Sequence, residues 1–91
     1  MSEHKSQEYL KNQLDNASSL IEIGGIYSHY KNSAKHYLVM DLGIIEETEE
    51  ICVIYQAKYG EKLIFVRPLS VWLEDVNYEG KVVPRFCKVN I

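Results

Sequence analysis

The sequence predicts a mainly β domain preceded by one α-helix, and three observations carry that prediction. Apolar residues recur at helical spacing ahead of Gly24-Gly25. Beyond that pair the chain breaks into short runs of β-branched and aromatic residues separated by turn formers, the texture of a small barrel or sandwich. Its 91 residues, 46% hydrophobic and 25% charged, support one core and exclude disordered and low-complexity classes.

Taken in order, Tyr9, Leu10, Leu14, Ala17 and Ile21 step by three and four, which predicts a helix over 6–18. The apolar stripe is thin and a lone helix of this length is marginal, so it must dock, either on its own domain or in a homodimer. Residues 1–24 therefore read as a helical extension of a β domain at 25–91. Strands are expected near 26–31, 36–42, 51–59, 62–67 and 81–89. Lys31-Asn32-Ser33, Tyr59-Gly60-Glu61 and Asn77-Tyr78-Glu79-Gly80 supply the turns, and Gly60 suits a positive φ. In the second strand Tyr37 and Val39 share one face while Leu38, Met40 and Leu42 share the other, so both faces need cover and the helix is the element to provide it. Pro68 should close the fourth strand. Leu69, Trp72, Leu73 and Val76 fall at helical spacing, predicting a short helical turn before the last strand with Trp72 plugging one end of the core.

Composition also limits function. The net charge of −3 provides no cationic field for phosphates, so nucleic acid is a disfavoured partner, left to a local patch of Lys31, Lys35, Lys58, Lys62, Arg67, Arg85 and Lys88. Five of the acids fall between Asp41 and Glu50, so the acidity is concentrated in one loop. The first twenty residues carry Glu3, Lys5, Glu8, Lys11 and Asp15 and have neither a signal-peptide core nor a spanning segment; no membrane association is expected, and the expected location is cytoplasmic. Cys52 and Cys87 lie in apolar runs without a CxxC spacing and read as free structural thiols. His4, His29 and His36 complete no metal spacing, and no cofactor is indicated.

The blocks Gly25-Ile26-Tyr27-Ser28-His29-Tyr30-Lys31, Tyr37-Leu38-Val39, Glu47-Thr48 with Glu50, Val53-Ile54-Tyr55-Gln56-Ala57, Tyr59-Gly60, Val66-Arg67-Pro68 and Val83-Pro84-Arg85-Phe86 resemble, in order and spacing, domain-of-unknown-function family 1653. The resemblance implies a small bacterial protein with an SH3-like β-barrel and supplies no established activity; with the strands read above, the expected fold is a five-stranded SH3-like barrel behind an N-terminal helix. Phe65 and Trp72 stand where the family usually has Trp and Phe, reading as exchanged core aromatics, and Ile45 replaces a frequent His.

Within those blocks the candidate polar cluster is Tyr27, His29, Glu47, Thr48, Tyr55, Arg67 and Arg85, with Lys31 beside it. An Arg in an apolar strand is expensive to bury unpaired, so Arg67 and Arg85 must reach water, a carboxylate such as Glu47 or Glu50, or an anionic ligand. The sequence reads as a binding or accessory module for a protein, peptide or small anionic ligand. The alternative is a small enzyme, with His29 as general base oriented by Glu47 and an arginine stabilising an oxyanion. No G-x-S-x-G, P-loop, dinucleotide turn or H-E-x-x-H is present, so no catalytic residue is assigned.

Overall fold

The computed structural model describes residues 5–90, so His4 lies outside the described residues. Helix α1 is Gln7–Ser18. The Ser6 hydroxyl accepts the Tyr9 N–H at 3.1 Å and Glu8 sits in the first turn, a capped start that suits the helix dipole. Its last turn carries the docking: Ala17 is buried, and the chain leaving the helix sends Ile21, 2% exposed, into the core. The predicted stripe is real but shallow, with Leu10 and Leu14 half-buried and Tyr9 exposed.

Seven strands follow: β1 Ile26–His29, β2 Asn32–Ile45, β3 Glu50–Ala57, β4 Ile64–Pro68, β5 Asp75–Tyr78, β6 Lys81–Pro84 and β7 Phe86–Lys88, with the short helix α2, Leu69–Trp72, between β4 and β5. β1 to β4 form an antiparallel meander, and β7 returns to pair with β1, giving one sheet ordered β4-β3-β2-β1-β7. β5 and β6 form a separate two-stranded ribbon. The fold is mainly β with an N-terminal helix, as predicted, but the sheets are not closed into a barrel, because β4 and β7 are unpaired edges among the described residues, which form seven strands where five were expected.

The surplus strands have a local cause. Glu79 and Gly80 take φ of 51° and 79°, the two positive angles of a tight two-residue hairpin turn, so 75–78 folds back on 81–84. Pro84 lacks an N–H to continue a ladder, and the predicted strand over 81–89 breaks at Arg85 into β6 and β7. Gly60 takes φ 58° in the turn from β3 to β4, as its sequence context demanded.

β2 departs from its expected alternation. Val39 pairs with Tyr55 and Asp41 with Ile54, leaving Met40 unpaired in a bulge. One extra residue reverses the parity, so Leu42, opposite Val53, joins Tyr37 and Val39 against the core instead of sharing a face with Leu38. α1 does pack against β2, as predicted.

The core is aromatic. Trp72 is 2% exposed and stacks on Phe86 at 3.7 Å between centroids, with Tyr27 and Tyr55 edge-on to it at 5.5 and 5.0 Å. α2 thus positions the single tryptophan as a core residue. Phe65 does not mirror it: it touches Tyr55 at 5.8 Å yet is 40% exposed on edge strand β4. Cys52 is buried and Cys87 exposed, both free, so only Cys52 fits the expected structural thiol.

Candidate functional site

The register decides which of the predicted polar residues meet. β1 places His29 opposite Phe86 of β7, and β4 places Phe65 and Arg67 opposite Tyr55 and Val53, so all of these side chains face the core side of the sheet. There the Arg67 Nε–H donates to the Tyr55 hydroxyl at 3.2 Å, and the guanidinium lies over the Phe86 ring at 5.4 Å. The His29 ring meets Phe86 edge-on at 5.1 Å. Burial, then the charges of Arg67, Arg85 and Lys31, hold the His29 imidazole below its ordinary pKa. His29 is therefore neutral near pH 7, with its Nδ1 accepting the Lys31 N–H at 3.2 Å, which leaves the proton on Nε2.

The two arginines differ in their company. Arg85 Nη2 donates to Glu74 at 2.7 Å, and its Nε is buried without a hydrogen-bond partner among the described residues. Arg67, half-buried, has no carboxylate within ion-pair distance among the described residues and uses one of its five donors on a neutral phenol. Beside it Tyr37 meets Tyr55 edge-on and shares a 2.7 Å hydrogen bond with Tyr59. Burial, with that hydrogen bond second, pushes the Tyr37 hydroxyl up to about 12.

The structure therefore gathers His29, Tyr55 and Arg67 around Phe86, sets Arg85 between Glu74 and the Tyr30 ring where its charge still reaches His29, and leaves three predicted members elsewhere. Tyr27 is a core residue whose hydroxyl accepts the Glu22 N–H at 3.0 Å, tying the N-terminal segment to the sheet. Glu47 and Thr48 occupy the exposed turn between β2 and β3, where the Thr48 hydroxyl accepts the Glu50 N–H at 3.3 Å. That turn and His29 sit at opposite ends of the 14-residue β2, about 40 Å of strand contour apart at ~3.3 Å per residue. Glu47 thus orients neither His29 nor an arginine, and the lone pair on Nδ1 is already engaged, so the acid–base arrangement considered from the sequence is not assembled.

Glu74 and Phe86 are the contributors that residue types alone did not single out. The tight turn at Glu79-Gly80 contains the signal for Glu74, because the register Asp75 opposite Pro84, extended by one step, sets Glu74 opposite Arg85. The backbone bond from Arg85 N–H to the Glu74 carbonyl, 2.9 Å, follows from the same register. Among the described residues no group of three His, Cys, Asp or Glu is placed to hold a metal ion, and no helix is long and apolar enough to cross a membrane.

Comparison with known proteins adds family information. A family described as "Protein of unknown function (DUF1653)" matches residues 25–88, a span that begins after α1 and includes every residue gathered at Arg67. The crystal structure of a DUF1653 protein from Bordetella bronchiseptica is similar to this chain, with a TM-score of 0.65 and 35% identity over 72% of this chain and 85% of that one. No curated protein matches the chain.

Proposed function

The chain belongs to the DUF1653 family of proteins of unknown function, and for this member we propose a binding module that recognises an oxyanion-bearing ligand through Arg67. The observation that carries the reading is the situation of that guanidinium: half-buried over Phe86, bonded only to the neutral Tyr55 hydroxyl, and facing no carboxylate among the described residues. A carboxylate or phosphate oxygen placed against its free donors makes paired charge-assisted hydrogen bonds. His29 adds an Nε2–H donor and Phe86 a flat apolar wall. Arg85, already neutralised by Glu74, shapes the electrostatic surroundings more than it binds.

The SH3-like relationship belongs to the same proposal. It is supported by the meander from β1 to β4, the helical turn that follows, and the return of β7 to β1. Residues 25–91 are read as the folding module and 1–24 as an extension whose described part docks through Ile21, the whole acting in the cytoplasm as a binding or accessory module.

The test is a thermal-shift and NMR titration of the full chain with acetate, succinate and inorganic phosphate. The proposal expects saturable stabilisation by at least one of them, lost in Arg67→Gln and retained in Glu47→Gln. Equal responses in wild type and Arg67→Gln would remove it.

A further inference from the structure

We propose that the outer edge of β4 docks an extended peptide of another protein, apolar on one face and acidic on the other, which adds to the sheet as a further strand and sets its carboxylate against Arg67. The inference rests on the reading of Arg67 as an oxyanion contact and names the source of that oxyanion.

Three features of β4 point to it. First, it is the terminal strand of the five-stranded sheet, and no described strand pairs with its outer side. Second, the alternation of the ladder fixes which backbone groups are free. The Ala57 N–H bonds the Leu63 carbonyl at 3.0 Å, so Leu63, Phe65 and Arg67 direct their backbone groups to β3 while Ile64 and Val66 direct theirs outward. Pro68, whose missing N–H falls at the next outward position, ends the edge without disturbing the ladder.

Third, the run ahead of Arg67 carries no charge. Leu63, Ile64, Phe65 and Val66 form a continuous run that is 57, 55, 40 and 58% exposed. An apolar edge of this kind is a template for strand addition, normally blunted by charged residues along it. Parity then specifies the partner. Ile64 and Val66 lie on one face and call for apolar side chains opposite, while Phe65 and Arg67 lie on the other, where Arg67 awaits an anion.

Charge selects between a foreign peptide and a second copy. Antiparallel pairing of two β4 strands brings the Lys62 and Arg67 ends of the copies together, with only Glu61 in the preceding turn to offset them, and leaves both Arg67 side chains without a carboxylate. An acidic peptide satisfies the apolar strip and the guanidinium together.

The experiment selects randomised seven-residue peptides displayed on phage against the immobilised full chain, then measures enriched peptides by fluorescence anisotropy against wild type, Arg67→Gln, Val66→Pro and Ile64→Glu. Val66→Pro removes an outward N–H and no bond to β3, and Ile64→Glu provides a second edge variant should the fixed φ of the proline perturb the strand. Expected are peptides with an Asp or Glu among alternating apolar residues, affinity reduced about tenfold or more by each variant, and slower amide exchange at Ile64 and Val66 in the complex. Succinate and phosphate titrations run on the same variants. Binding of these anions lost in Arg67→Gln but kept in Val66→Pro, with no peptide enriched, overturns the strand-addition inference and leaves the oxyanion reading standing. Peptide affinities unchanged in Arg67→Gln overturn the inference, and anion responses likewise unchanged in that variant overturn the oxyanion reading with it. A concentration-dependent dimer abolished by Val66→Pro assigns the edge to a second copy and overturns the inference.

Discussion

Arg85 is held by Glu74 at 2.7 Å and Arg67 by a phenol alone, and that contrast sets different outcomes for their removal. Glu74→Gln leaves a mostly buried guanidinium without its carboxylate and should lower stability by about 1 kcal/mol, a modest value because Glu74 itself is half-exposed. Arg67→Gln should cost less in urea unfolding than it removes in ligand affinity. It should also raise the pKa of His29, because it deletes the largest of the charges that, after burial, hold that imidazole down; an NMR titration of the ring proton reads this directly. Both arginines were legible as an energetic problem from residue type and strand context alone. Their partners were not, since Glu47 lies in the turn beyond β2 and Glu50, three steps along β3 from the Val53 opposite Arg67, falls on the other face, while Glu74 becomes a neighbour only once the turn at Glu79-Gly80 is placed.

At the level of elements, stability should follow the places where the segments enter the core. Ile21→Ala should cost about 2 to 4 kcal/mol in chemical denaturation, since a nearly fully buried side chain leaves a cavity. Ser6→Ala, which removes only a helix cap, should cost about 1 kcal/mol or less. The bulge makes a sharper prediction within one strand: Leu42→Ala should destabilise by roughly 2 kcal/mol and Met40→Ala by under about 0.5, because Met40 is the exposed extra residue and Leu42 packs on the core. Strict alternation in the sequence puts these two residues on one face. A bulge has no composition signature here, since it arises from pairing with β3, and so the reversal could not be read from β2 alone. The helix, the turn at Gly60 and the helical turn bearing Trp72 were legible because each is fixed by local chemistry. The division into seven strands depended on where β5 finds a partner.

For the whole molecule, charge is distributed so that net acidity says little about ligand. Glu46, Glu47 and Glu49 in the turn between β2 and β3, with Glu50 at the start of β3, gather acids at the end of β2 away from His29. The lowered His29 pKa has a consequence for acid stability. The folded state takes up the proton at lower pH than the unfolded chain, whose value is near 6.5, so the contribution is complete above about pH 6.5 and is lost as pH falls through the folded value. His29→Gln should therefore show a smaller loss of stability between about pH 7 and 5 than wild type in pH-dependent urea unfolding. An anion bound at Arg67 works in the opposite sense, favouring the imidazolium. The most direct measurement is the His29 titration by NMR in the free chain and with saturating succinate or phosphate. The account predicts a pKa below 6.5 in the free chain that rises on ligand addition in wild type and is unmoved by ligand in Arg67→Gln; a His29 pKa insensitive to every anion in wild type contradicts it.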